Sequence, residues 1–190
     1  MKADPLESTG YTAAQTRVIE AAVALFGEHG IGGTSLQMIA DSIGVTKAAV
    51  YHQYKAKHEI VLAVAEAVMA GLEEGVAAAE GERSRARARE VLIAHMIELA
   101  VERREWAGVL QRDPIMLRCL QEHARFRHVM ERVNRALIGG APDPRTRVLA
   151  ATLVATISGA VIHPLVAGLD GETLRAELWR HIQRLLPNRR

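Results

Sequence analysis

Residues 34–57, TSLQMIADSIGVTKAAVYHQYKAK, constrain the fold more than any other stretch of the chain, because they fit two short helices hinged at one glycine. The first helix is expected to start at Thr34 or Ser35, whose hydroxyls can cap free amides, and to bury Leu36, Ile39, Ala40 and Ile43 at helical spacing. Gly44 turns the chain, and Thr46 caps a second helix over residues 47–52. That helix keeps Val50 inward and leaves Lys47, Ala48, Ala49 and His52 outward. This is the layout of a helix-turn-helix DNA reader.

The surroundings of the pair are helical as well. Only 4% of the 190 residues are aromatic, 49% are hydrophobic, and Ala, Leu, Arg and Glu abound, so an all-α protein with a substantial core is expected. A single cysteine, Cys119, excludes an intramolecular disulfide framework and points to a reducing, cytoplasmic setting. Residues 1–11 hold charges and a proline but no apolar core, and are expected to be a flexible lead-in rather than a secretory signal.

Net charge does not identify a partner, but its placement does. Residues 1–60 carry five Lys or Arg and six Asp or Glu, a balance of −1. Three of those five cations, Lys47, Lys55 and Lys57, fall within eleven residues that contain no acid, beside His52 and His58. A supporting helix is expected from about Thr12 to His29, with Val18, Ala21, Ala22, Leu25 and Phe26 as its apolar stripe and Gly30 as a left-handed terminus. Lys47 sits where a cation opposes the helix dipole, so contact with phosphate or a base explains it better than helix stability does. Ala48 and Ala49 are either simple helix formers or small side chains that let the helix approach the groove floor and touch a thymine methyl.

The run TRVIEAAVALF over residues 16–26, followed by Gly30, Thr34-Ser35, Ile39-Ala40, Gly44-Val45-Thr46 and VYHQYKAK over residues 50–57, resembles the N-terminal domain of the TetR family of transcriptional repressors. Two departures are Ile43, where alanine is usual, and Tyr54, where phenylalanine is common. The resemblance implies an N-terminal three-helix helix-turn-helix domain over residues 12–55 and a C-terminal helical bundle for ligand binding and dimerisation over residues 56–190. It also implies DNA-contacting roles for Thr34, Ser35, Gln37, Thr46, Lys47, Ala48, Ala49, Tyr51, His52 and Lys57. Tyr51 and Lys57 stand at phosphate-contacting positions, and Gln37 can pair with adenine. A solvated surface histidine is the alternative for His52.

Beyond residue 60 the residues give helices but few motifs. A long helix over about 56–79 carries Ile60, Val61, Val64, Val68 and Leu72 on one side, and in the family this element transmits the ligand's effect. The arginine-rich segment 80–89 has acids around it and reads as a solvated helix face. Along the next helix, about 84–104, His95, Met96 and Leu99 line either a ligand pocket or an ordinary core. A sharp bend follows at Asp113-Pro114. The family resemblance puts such a bend at a pocket entrance, with Trp106, Leu110, Met116 and Leu117 as apolar lining and Arg112 or Asp113 as polar anchor. Phe126 and Thr156, on later helices, complete the expected ligand set. Cys119 and His123 lie one helical turn apart but lack further donors, so no metal or other cofactor is expected.

Residues 139–144, GGAPDP, form a linker. Residues 148–169 then contain no Asp, Glu, Lys or Arg, a length that could cross a bilayer. Thr152, Thr156, Ser158, His163 and Pro164 interrupt it, and a buried helix explains it better. Its small residues Ala155, Gly159 and Ala160 suit close approach to a partner. The final helix, about 172–186, has Asp170 as cap and Pro187 as stop. Pairing of the last two helices about a two-fold, as in the family, implies a homodimer interface of Leu153, Ile157, Ala160, Val161, Leu174, Leu178, Ile182 and Leu185.

Phosphate loops, nucleophile elbows and H-E-x-x-H pairs are absent from the sequence, so catalysis is not expected. The expected function is that of a ligand-responsive repressor: a homodimer on a palindromic double-stranded operator, released by a small, largely apolar effector, with no membrane partner. The alternative is a helical ligand-binding or interaction protein whose DNA-reading head has weak or lost affinity.

Overall fold

A computed structural model describes residues 10–139 and 143–186. Residues 1–9 of the lead-in, Gly140–Pro142 of the linker and the stop at Pro187 lie outside the described residues. Within them the chain is helical without strands: α1 (Ala13–Gly33), α2 (Leu36–Ser42), α3 (Lys47–Gln53), α4 (Lys57–Glu80), α5 (Arg85–Glu102), α6 (Arg104–Arg112), α7 (Pro114–Glu122), α8 (Ala124–Ile138), α9 (Pro144–Val161) and α10 (Gly171–Leu185). A 3-10 turn at Pro164–Val166 separates the last two.

The helices gather into two compact units, Met1–Gly71 with Gly108–Arg127, and Leu72–Ala107 with His128–Arg190. The division falls inside α4, and the segment carrying α7 belongs with the N-terminal unit, to which Asp113 ties it through the Ile31 amide.

In the first unit, Thr12 caps α1 in a reciprocal box with Gln15, and Gly30 ends the regular helix at φ +71°, a conformation glycine adopts without a Cβ penalty. Val18, Ile19, Ala22, Val23 and Phe26 are buried beside Ile39, Ala40 and Val50. Tyr54 is buried too, and its hydroxyl has no hydrogen-bond partner. Tyr11 donates to Glu66 Oε2 at 2.9 Å, fastening the start of the chain to α4.

In the second unit, Val76, Leu92, Ile97, Val133, Leu153, Ile157, Leu174 and Ile182 share one core contributed by α4, α5, α8, α9 and α10. Arg132 clasps Glu80 with two hydrogen bonds, 3.0 and 2.6 Å, and this contact holds the Glu80 carboxyl below its ordinary pKa.

One expectation needs correction here. The charge-free run is not one helix: α9 begins earlier, at Pro144 behind the Asp143 cap, and stops at Val161, because Pro164 lacks an N–H and biases His163 away from the helical region. No helix of the described residues is long and apolar enough to cross a membrane. Most of the residues expected at a dimer interface face inward instead. Leu153, Ile157, Val161, Leu174, Leu178 and Ile182 are buried in their own unit's core, and Ala160 packs against it. Leu185 alone of the set is solvent-exposed. The open side of α9 carries Val148, Ala151, Thr152 and Ala155 instead, with Val148 65% exposed.

Candidate nucleic-acid interface

The reading helix α3 is held by its two ends and one side chain. Thr46 accepts from the Ala49 amide at 3.2 Å, closing the N-terminus, and the Tyr54 amide donates to the Val50 carbonyl at 2.9 Å. Val50 is its one buried residue; Lys47, Ala48, Ala49, Tyr51 and His52 are exposed. The helix therefore presents nearly its whole circumference outward while a single valine anchors it.

The turn that aims α3 is equally determined. Gly44, at φ +67°, allows its own amide to reach Asp41 O at 3.2 Å and the Val45 amide to reach Ala40 O at 3.0 Å. Arg17 on α1 donates to Ile43 O at 3.2 Å, tying the turn to the supporting helix. Ser35 accepts from Met38 N at 3.1 Å and is the cap of α2.

The expected contact residues fall into three groups. Lys47, Ala48, Ala49, Tyr51 and His52 share the exposed surface of α3, and Lys55 sits 5.1 Å from the Tyr51 ring centroid, so a second cation joins the cluster through a cation–π contact. Gln37 is exposed on α2, its amide donating to Asp41 Oδ1 at 2.7 Å; Ser35 and Thr46 are exposed beside their caps. Thr34 is a correction. It is buried at 2% exposure, and its hydroxyl donates toward Gly30 O at 2.9 Å and Leu25 O at 3.2 Å, so it closes α1 and is not available to DNA.

Lys57 also has work inside the fold. Its Nζ donates to the carbonyls of Ile31 at 2.5 Å, Thr34 at 2.7 Å and Gly32 at 3.3 Å, so three orphan carbonyls at the end of α1 share one ammonium. On the other side of the same turn, the Ile31 amide donates to Asp113 Oδ2 at 2.7 Å. The sequence marks Asp113-Pro114 as a bend but carries no sign of this long-range partner, because an acid beside a proline does not indicate what it will meet.

The expected effector residues are divided between the two units. His95, Met96, Leu99, Trp106 and Thr156 belong to the second unit, whereas Leu110, Arg112, Met116, Leu117 and Phe126 belong to the first. His95 packs on the backbone of Gly75, where a Cβ would come within 2.4 Å of its Cδ2, which is the geometry of core packing. Arg112 and Leu117 are exposed, which removes them from any enclosed apolar lining, and Asp113 spends its carboxylate on backbone amides. Trp106 is buried, with the Arg103 guanidinium 5.1 Å from its ring centroid. No cluster of three or more potential metal ligands occurs among the described residues.

Residues 18–64 match the family model described as bacterial regulatory proteins, tetR family. Over 183 residues the chain is 25% identical to the HTH-type transcriptional repressor AcnR of Corynebacterium diphtheriae, covering 91% of this chain and 92% of that one. The fold is similar to that of the ketosteroid transcriptional regulator KstR2 of Mycobacterium tuberculosis, with TM-score 0.71 and 17% identity over 92% of this chain and 94% of that one. It is also similar to AibR in complex with isovaleryl coenzyme A and operator DNA, with TM-score 0.64 and 17% identity over 89% and 97% of the two chains.

Proposed function

Residues 18–64 make this chain a member of the TetR family of bacterial regulatory proteins, and from that premise we propose that it is a homodimeric repressor that sets α3 of each protomer into successive major grooves of a palindromic operator. The observation that carries the reading is α3 itself, a capped helix with one buried residue, an exposed Lys47 at its first position and two alanines small enough for close approach. Lys47 and Lys55 supply phosphate contact, and Tyr51, under the Lys55 ammonium, is positioned to do the same. Lys57 acts one step back, fixing the turn from which α2 starts.

Dimerisation through α9 and α10 is supported by the open face of α9, where Val148, Ala151, Thr152 and Ala155 recur at helical spacing with few long side chains. A small, largely apolar effector releases the DNA. Met96, Leu99, Trp106 and Thr156 are the residues of the second unit from which such a site would be built. AibR is bound to both a coenzyme A thioester and operator DNA, which makes the combination of activities reasonable for a chain of this fold.

The test is recovery and sequencing of genomic fragments bound by the purified protein. The proposal requires a palindromic motif whose half-sites lie about one helical turn, roughly 10 base pairs, or a multiple of it apart. Fragments enriched without any shared motif would contradict it.

A further inference from the structure

A groove of about 560 Å³ lies within the first unit, between the first turns of α4 and the length of α7, with Ile31 at its floor. That volume falls inside the range of about 300–1,000 Å³ typical of small-molecule sites. Val61, Leu62 and Ile115 make its walls apolar, and Leu62 and Ile115 remain exposed although both are large hydrophobic residues. The polar lining is mostly basic. Lys57, His58, Arg118 and His123 face one acid, Glu122. Arg118 has no ion-pair partner among the described residues, and the His123 ring is not pinned, its Nδ1 being shut from solvent without a hydrogen-bond partner.

An apolar trough with an uncompensated guanidinium at its edge is complementary to one kind of small molecule. We propose that this groove binds an amphipathic anion, an aliphatic chain ending in a carboxylate, with the chain along Val61, Leu62 and Ile115 and the carboxylate on Arg118. All of its lining residues belong to the first unit. Its consequence for DNA rests on the proposed function. The floor residue Ile31 is gripped through its amide by Asp113 and through its carbonyl by Lys57, three residues before the Thr34 that closes α1, so a ligand here bears on the support of the reading pair.

Cys119, the single cysteine of the chain, lines the same groove and reports on its occupancy. Burial, and then Glu122, raise its thiol pKa, so alkylation by N-ethylmaleimide is followed at mildly alkaline pH. The full chain is alkylated alone, with dodecanoate, with dodecan-1-ol and with bound DNA fragments, while DNA affinity is measured separately by fluorescence anisotropy. Dodecanoate slows alkylation several-fold, dodecan-1-ol does so much less, and Arg118→Glu or Ile115→Asp, both at exposed positions, abolishes the protection. Unchanged alkylation with dodecanoate in a protein that still binds DNA overturns the groove and leaves the regulator intact. Protection in a protein without DNA affinity supports the groove and overturns the regulator. Equal protection by the alcohol overturns the anion site, and protection by DNA alone assigns the groove to the DNA-contacting surface.

Discussion

The backbone amide of Ile31 and the carboxylate of Asp113 meet at 2.7 Å across 82 positions of sequence, and the same carboxylate caps α7 by accepting from Ile115 N at 2.8 Å and Met116 N at 3.4 Å. One side chain thus closes a helix and fixes the turn ahead of the reading pair. Asp113→Ala loses a cap and leaves a buried amide unpaired, a cost of about 2–4 kcal/mol. Urea unfolding of the variant checks this; a loss below about 0.5 kcal/mol would mean that water or another group takes over both roles.

Lys57 is the complementary grip on the carbonyl side. Because its ammonium is spent on the carbonyls of Ile31, Gly32 and Thr34, Lys57→Ala is expected to lower stability by about 1.5–3 kcal/mol while leaving the salt dependence of DNA binding unchanged. Loss of one phosphate contact per protomer would instead flatten the slope of log affinity against log salt by about 1.8 in a dimer. The two outcomes separate a structural lysine from the phosphate-contacting lysine that the family pattern implies.

Tyr54 carries a buried hydroxyl without a partner among the described residues. Tyr54→Phe removes the unpaired group and is expected to leave stability at neutral pH unchanged or raise it by about 1 kcal/mol. Burial, and then Glu66 and Glu59, push the phenol from its ordinary value of 10.0 up to about 12. A raised folded-state pKa gives stability that is complete below the unfolded value and is lost as pH climbs to the folded one. Wild-type stability should therefore fall from pH 10.0 to about 12, and the fall should be shallower in Tyr54→Phe. An identical alkaline loss in both proteins would assign it to other groups, Tyr11 first, whose pKa is also raised by burial and by its bond to Glu66.

What was legible in the sequence follows the range of the interactions. Gly30, Gly44, Ser35, Thr46 and Asp170 act within a few residues of themselves, and each was readable as a turn or cap. The apolar stripe of α1 was readable for the same reason, because periodicity is local. The burial of Thr34 and the carbonyl contacts of Lys57 were not legible, because a hydroxyl or ammonium looks the same in sequence whether it faces a phosphate or a carbonyl. The inward face of α9 was hidden for a different reason. α9 is apolar on most sides, so periodicity could not say which stripe, Leu153-Ile157 or Val148-Thr152-Ala155, faced the protein's own core.

The open stripe of α9 gives its own prediction. Val148 is exposed, so Val148→Glu combined with Ala155→Arg should leave the protomer folded and convert the dimer to a monomer. Light scattering after gel filtration reads the mass directly. A double variant that remains dimeric would place the interface elsewhere, and circular dichroism confirms that any monomer is still helical.

The central claim is that α3 reads DNA, and Lys47 tests it most directly because it is exposed and makes no side-chain hydrogen bond or ion pair among the described residues. Affinity for a recovered operator fragment is measured across a salt series for wild type and Lys47→Ala. If α3 reads DNA, the wild-type dependence is steep, the variant binds more weakly at every salt concentration, and its slope is shallower by about 1.8 for two lost phosphate contacts. Equal affinity and equal slope for the two proteins would contradict it.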